Sequence, residues 1–116
     1  MPSLSNDVSK EETLLSSRFR DPEQRLFFAK ANLFPNRIEF SGFAFSGTYR
    51  RLILLKHIER VEWRVGQKNA PNIIFWLRNG KKKQLWFNGA GLWKYMIDAN
   101  VRNISRQLPP KSNPAT

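Results

Sequence analysis

Residues 72–106 read NIIFWLRNGKKKQLWFNGAGLWKYMIDANVRNISR, and the succession of patterns in this stretch decides the fold. An apolar run at 73–77 leads into Asn79-Gly80, a pair that tolerates the positive φ of a tight hairpin turn. A second short apolar run at 85–87 completes the hairpin. After Gly91 the spacing of apolar residues changes from two to about 3.6, the period of an α-helix. The stretch therefore predicts a β-hairpin followed by one C-terminal helix.

The predicted helix is amphipathic. Its apolar positions fall on one stripe, made of Trp93, Ile97, Val101, Ile104 and Leu108. A helix with a single apolar face buries that face against another element, and the sheet that precedes it offers the surface. We therefore expect the helix to cap the sheet.

Short runs upstream predict further antiparallel strands. They are residues 24–33, 37–45 with a bulge or bend at Gly42, 49–55 and 60–65, separated by turns at 34–36, 46–47 and 57–59. In the last run we expect an inward face and an outward face, formed by Val61, Trp63 and Val65 and by Arg60, Glu62 and Arg64 respectively. A helix through Ile58, Val61 and Val65 is an alternative that the period leaves open, although the β-branched residues favour a strand. The sequence predicts a mainly β fold, a bent antiparallel sheet or barrel of six or seven strands capped by the C-terminal helix.

The chain divides by charge into three predicted segments. Residues 1–23 hold three basic and five acidic residues and are expected to form a flexible, mildly acidic leader. Residues 24–108 hold sixteen basic and four acidic residues and form the predicted domain. Residues 109–116 are expected to be a disordered tail. The net charge of +11 is therefore concentrated in the domain, which predicts an anionic partner or, equally, general solubility.

The order of elements resembles the pleckstrin-homology-like (PH-like) superfold, above all the bacterial PH and GRAM-like modules. The resemblance covers about residues 24–106 and is carried by LFPNRI at 33–38, ILLKHIERVE at 53–62 and the start of the helix at 91–93. It implies seven strands followed by one helix. It also implies a non-catalytic module that binds lipid headgroups, peptides or proteins.

Two groups of cations are the candidate anion-binding residues. The first group surrounds the last hairpin turn and consists of Arg78, Lys81, Lys82 and Lys83. The second is Arg50 with Arg51, which would form a basic strip with Arg60 and Arg64 if their strands are adjacent. The alternative for the hairpin lysines is a solvated loop that discourages edge-to-edge aggregation. In lipid-binding PH domains the basic hairpin comes early in the chain, so the late position here weakens a phosphoinositide assignment.

Catalysis is not expected from this composition. The domain has one histidine, His57, no cysteine and few carboxylates: Glu39, Glu59, Glu62 and Asp98. A general acid–base site needs two groups within reach of a substrate, and a lone histidine makes a poor metal site. We therefore predict no catalytic residues, no metal and no cofactor. The absence of cysteines, of a signal peptide and of an apolar run of about 20 residues predicts a cytoplasmic protein or one at the membrane periphery.

Three hypotheses for the function follow. The first is a binding module whose basic surface contacts an acidic protein segment or an anionic membrane. The second is a small nucleic-acid-binding barrel that uses Arg and Lys with exposed tryptophans, for which Trp76, Trp86 and Trp93 are candidates. Core packing is the favoured alternative for these tryptophans, because a small barrel needs large side chains to fill it. The third is a structural domain that self-associates through its helix or a sheet edge. The exposure of the tryptophans discriminates between the first two hypotheses. An open aromatic platform ringed by cations favours nucleic acid, whereas buried tryptophans with cations around a loop favour lipid or protein.

Overall fold

The computed structural model describes residues 12–65 and 70–107, and it is mainly β with a single helix at the C-terminal end. The elements are β1 (Leu15–Arg20), β2 (Phe27–Leu33), β3 (Arg37–Ala44), β4 (Gly47–Leu54), a 3-10 turn (Leu55–His57), β5 (Ile58–Trp63), β6 (Ile73–Leu77), β7 (Lys82–Phe87) and α1 (Ala90–Gln107). The predicted fold class is confirmed. Residues 60–63 belong to a strand, so the helical alternative for this run is wrong.

The seven strands form one curled antiparallel sheet in the order β4-β3-β2-β1-β7-β6-β5. Two meanders, β1 to β4 and β5 to β7, are joined where β1 pairs with β7, and the sheet bends into a half-barrel. Strands β4 and β5 are therefore the two edges of the sheet. Helix α1 packs against β5, β7 and the 3-10 turn, where it covers the concave side.

The first strand lies in a segment that was predicted to be a flexible leader. Leu15–Arg20 pairs with β2 on one side and β7 on the other, so residues 12–23 belong to the domain. The alternation in β1 is present in the sequence, since Ser17 and Phe19 face inward and Arg18 and Arg20 face outward. This period-two pattern is hard to recognise in the sequence, because one inward position is a serine and acidic residues lie next to the strand. Residues 1–11 and 109–116 lie outside the described residues.

The core is an aromatic cluster that ties the helix to the sheet. The rings of Phe19 and Phe40 meet edge to face at 5.0 Å, and those of Phe87 and Trp93 lie 4.6 Å apart. The buried Trp93 indole N–H donates a hydrogen bond to Ser17 Oγ at 2.8 Å. The helical stripe is confirmed as far as the structure describes it: Trp93 and Ile97 are buried, Val101 and Ile104 pack against the core, and Leu108 lies outside the described residues.

The predicted inward face of β5 is only partly correct. Val61 is buried, whereas Val65 follows the end of the strand and is exposed. Trp63 lies at the rim of the half-barrel, where its ring covers the start of α1 and remains about half exposed. A Cβ atom on Gly91 would come within 2.9 Å of this ring. The glycine therefore provides the space in which the ring packs on the helix.

Candidate anion-binding surface

The cations of the last hairpin do not form one patch. Alternation along β7 sends Lys82 to the outer face, where its Nζ lies 5.1 Å from the Trp76 ring centroid, and sends Lys83 to the inner face. The Arg78 side chain turns toward a neighbouring loop, where its Nε–H donates to the carbonyl oxygen of Lys56 at 3.0 Å. Lys81 is exposed at the turn. The structure therefore distributes these four predicted residues over different surfaces.

Lys83 is engaged inside the mouth of the half-barrel. Its Nζ donates to Asp21 Oδ2 at 2.9 Å, and the Asp21 side chain is only 3% exposed. The other carboxylate oxygen accepts the backbone N–H of Glu23 at 2.9 Å. Burial and the nearby Asp21 charge raise the pKa of Tyr49, although Lys83 and Arg51 act in the opposite direction. The charge of Lys83 is thus balanced by a buried partner.

Arg50 and Arg51 lie on opposite faces of the edge strand β4. The Arg51 guanidinium stacks 4.7 Å from the Tyr49 ring centroid, and its Nη1 donates to the carbonyl oxygen of Arg50 at 2.7 Å. Arg50 is on the outer face, opposite Ser41 of β3. The expected strip that joins these residues to Arg60 is not formed, because β4 and β5 lie at opposite edges of the sheet.

A transverse row of cations crosses the outer face of β1 to β4. The strand register places Arg18 opposite Lys30, Lys30 opposite Ser41, and Ser41 opposite Arg50. Side chains that are directly opposite share a face, and neighbouring strands are about 4.8 Å apart. Like charges in directly opposite positions destabilise a sheet, so the Arg18–Lys30 pair needs an explanation beyond folding. We call Arg18, Lys30 and Arg50 the cationic row.

Four phenylalanines gather beside this row, at the end of the sheet where β2 begins and β3 turns into β4. They are exposed to very different degrees, from 39% for Phe27 and 53% for Phe43 to 84% for Phe45 and 88% for Phe28. Their rings pair edge to face, Phe27 with Phe45 at 5.2 Å and Phe28 with Phe43 at 6.4 Å. We call these four residues the aromatic corner. An exposed apolar cluster of this kind is a candidate interaction surface.

The backbone of the aromatic corner is strained. Phe28 has φ +54° and is the one non-glycine residue with positive φ in the part of the chain that the structure describes. It lies in a bulge of β2 between Phe27 and Lys30. A bulge or bend was predicted at Gly42 of β3, whereas the structure has the bulge in the facing strand β2. The backbones approach closely here, since a Cβ on Gly42 would lie 3.1 Å from the Cα atom of Ala29. The strained residue thus carries the most exposed side chain of the aromatic corner, in contact only with the ring of Phe43 among the aromatic pairs described.

The row and the corner belong to one continuous surface. Lys30 follows Phe28 along β2, and Phe43 follows Ser41 on the same face of β3. Between β1 and β2 an open groove of about 1000 Å³ has Arg18, Arg20, Phe28, Lys30 and Trp86 in its lining. Arg18 and Lys30 escaped the sequence-based prediction because β1 was assigned to the leader and only the strand register aligns them. For the aromatic corner a sequence signal was available, because residues 42–47 (GFAFSG) place two phenylalanines between two glycines at a predicted turn.

The predicted tryptophan candidates divide between the core and the outer face. Trp93 is buried, whereas Trp76 and Trp86 are half-buried on the outer face of β6 and β7. Each outer ring has a cation over it: Arg20 lies 4.9 Å from the Trp86 centroid, and Arg60 lies 4.7 Å from the Trp76 centroid. Hydrogen bonds from Arg64 and the Trp76 indole lower the pKa of Glu62, which lies on the same face. Each of these outer rings is therefore partly covered by a cation.

Within residues 12–65 and 70–107 there is no group of three or more His, Cys, Asp or Glu side chains placed to hold a metal ion. None of the helices described is both long and apolar enough to cross a membrane. Comparison with protein-family models gives no match, and comparison with curated protein sequences gives none either.

Proposed function

We propose that this chain is a non-catalytic, PH-like binding module that docks on an anionic membrane surface through the aromatic corner and the cationic row. One observation carries the proposal: exposed phenylalanines on β2, on β3 and in the β3–β4 turn lie next to a row of cations on β1, β2 and β4. Apolar side chains that enter the headgroup boundary, flanked by Lys and Arg, are the usual elements of peripheral membrane attachment. The sequence of seven strands and a terminal helix supports the PH-like resemblance.

The magnitudes suit a reversible attachment. Full burial of a phenylalanine side chain contributes about 1.5–3 kcal/mol, and each cation near an anionic leaflet contributes about 1 kcal/mol. Phe28 and Phe45 together with the cationic row therefore supply about 6–9 kcal/mol, which corresponds to dissociation constants of about 0.3–40 μM. The cationic row alone supplies about 3 kcal/mol and the two phenylalanines alone about 3–6 kcal/mol, so either contribution alone gives weaker binding. We therefore expect binding to need both anionic lipid and the phenylalanines.

The geometry of the rings favours a membrane over single-stranded nucleic acid. Base stacking needs an aromatic face that lies open on the sheet. In the aromatic corner each pair is edge to face, at interplanar angles of 80° and 85°, so one ring of each pair covers a face of the other. A cation already lies over each of the Trp76 and Trp86 rings and competes with a base for the ring. Nucleic-acid binding remains the alternative outcome of the experiment below.

The test is co-sedimentation with neutral vesicles and with vesicles that contain phosphatidylserine. We expect retention on the anionic vesicles alone. Changing the cationic row to glutamine should weaken binding by about 100-fold, since three contributions of about 1 kcal/mol are lost. Changing Phe28 and Phe45 to asparagine should weaken it by at least about 100-fold, since two contributions of at least about 1.5 kcal/mol are lost.

A matched control removes the same charge from other surfaces. Glutamine at Lys56, Lys81 and Arg102 lowers the net charge equally and should change binding by less than about threefold. Equal losses for the row and the control would refute a localised membrane site. Release from the vesicles by a single-stranded oligonucleotide that binds more tightly than lipid, and that depends on the cationic row, would favour the nucleic-acid alternative.

A further inference from the structure

The outer face of β5 to β7 carries a second cationic arrangement, separate from the membrane-docking surface. Here Trp76 is placed by the strand register between Arg60 of β5 and Lys82 of β7. The Arg60 guanidinium carbon lies 4.7 Å and the Lys82 Nζ 5.1 Å from the centroid of the Trp76 ring. Three neighbouring strands thus place two positive charges on one aromatic ring.

The tryptophan is itself held in position. Its indole N–H donates to Glu62 Oε1 at 3.1 Å, and the second oxygen of that carboxylate accepts from Arg64 Nε at 2.9 Å. Because Glu62 is engaged by Trp76 and Arg64, and lies 3.8 Å from Arg60, one carboxylate serves several donors. Positive charge on this face therefore exceeds negative charge.

Such an arrangement is suited to binding carboxylates. A guanidinium that stacks on a ring keeps its in-plane N–H groups available for bidentate hydrogen bonds to an oxyanion. A cation that already rests on an aromatic ring loses less conformational freedom when it binds. Arg60 and Lys82 are therefore preorganised cations whose strands are two spacings apart. Because both charged groups lie about 5 Å from the same ring centroid, they are at most about 10 Å apart, a distance that an extended peptide with acidic residues can bridge.

The surroundings favour a peptide over a bilayer or nucleic acid. The exposed phenylalanines lie on the β2–β3–β4 side of the half-barrel, and β1 separates that side from β5 to β7. The curvature of the sheet turns the two outer faces in different directions, so one flat bilayer does not contact both. The Trp76 ring is occupied by cations and does not offer an open face for base stacking.

We infer that the outer face of β5 to β7 binds an acidic, extended segment of a partner protein, with carboxylates on Arg60 and Lys82. The charge complementarity of this face identifies the chemistry of the partner. The site is independent of the membrane proposal, because it shares no residue with the cationic row or the aromatic corner. A module with both sites would hold an acidic protein segment at an anionic membrane.

The test uses the indole N–H signals of the full-length ¹⁵N-labelled protein, titrated with a decapeptide of alternating Glu and Gly. We expect the Trp76 signal to move in a saturable manner. The Trp93 signal should stay in place, because that indole N–H is buried and donates to Ser17. An unmoved Trp93 signal also verifies that each variant is folded. A decapeptide of alternating Lys and Gly should leave Trp76 unchanged.

Paired variants locate the site. Arg60→Gln with Lys82→Gln should weaken the binding of the acidic peptide by about tenfold or more, because two charge-assisted contacts are lost. Lys56→Gln with Arg102→Gln removes the same charge elsewhere and should weaken it by less than about twofold. A stationary Trp76 signal, or equal losses in both variants, would overturn the inference. So would a single-stranded oligonucleotide that shifts Trp76 at lower concentration than the peptide.

Discussion

The positive φ of Phe28 leads to a prediction in which stability and binding change in opposite directions. The left-handed conformation costs a non-glycine residue about 1–2 kcal/mol. Asparagine tolerates this conformation, so Phe28→Asn should recover most of that cost. The lost edge contact with Phe43 offsets about 0.5 kcal/mol of it, because the Phe28 side chain is 88% exposed and buries little. We expect a net gain of about 0.5–1.5 kcal/mol in the free energy of unfolding.

Urea denaturation, followed by the fluorescence of the buried tryptophan, measures this gain. For a domain of this size the denaturant slope is about 1–2 kcal/mol per molar, so the midpoint should rise by about 0.3–1.5 M. The same variant should bind anionic vesicles about tenfold more weakly. Phe28 would then lower the stability of the fold and increase membrane binding, so its position would be explained by binding and not by folding.

Phe45 provides the matched control, because it is 84% exposed and has an equivalent ring contact with Phe27 but no positive φ. Phe45→Asn should weaken vesicle binding to a similar degree without raising the urea midpoint. The strain interpretation is refuted if the midpoint of Phe28→Asn stays level with, or below, that of Phe45→Asn.

The remaining predictions concern the polar contacts inside the half-barrel. Lys83→Met should lower the free energy of unfolding by about 1–3 kcal/mol, because it leaves the nearly buried Asp21 carboxylate without its cation. Ser17→Ala should lower it by about 1–2 kcal/mol, since the buried Trp93 indole N–H loses its acceptor. The raised pKa of Tyr49 favours the neutral phenol in the folded state, so stability should fall as the pH rises above about 10.

Neighbouring residues supply the controls for these measurements by urea denaturation. Lys82→Met, one residue from Lys83 but on the outer face, should change the free energy of unfolding by less than about 0.5 kcal/mol. Ser16→Ala removes an exposed hydroxyl and should cost less than Ser17→Ala. Tyr49→Phe should flatten the alkaline decline; an unchanged decline would show that other groups cause it.

The hairpin and helix at residues 72–106 were predictable because their periods and turn residues are local properties. Gly80 does adopt positive φ, and Trp93 and Ile97 are buried as the stripe implies. The first strand was not predictable by the same reasoning. Its inward positions include the half-buried Ser17, which accepts a hydrogen bond from the indole of Trp93, a residue far away in the sequence.

The candidate site depended on information that a sequence does not display. Lys82 and Lys83 are adjacent in the chain yet occupy opposite faces, and only the strand ladder reveals that Lys83 meets Asp21. The cationic row is likewise a product of register, because Arg18, Lys30 and Arg50 come from three strands. A local count of charges therefore identified the number of cations but not their grouping.

The central position of β1 also constrains how the protein is made. During synthesis the N-terminal strand leaves the ribosome first, but its pairing with β7 requires nearly the whole domain to be present. Closing so long a loop is slow relative to the formation of the neighbouring hairpins. We therefore expect β1 to β4 to emerge as an incomplete meander in which β1 is a second unpaired edge besides β4. The nascent chain then completes its fold only when the last hairpin and the helix arrive together.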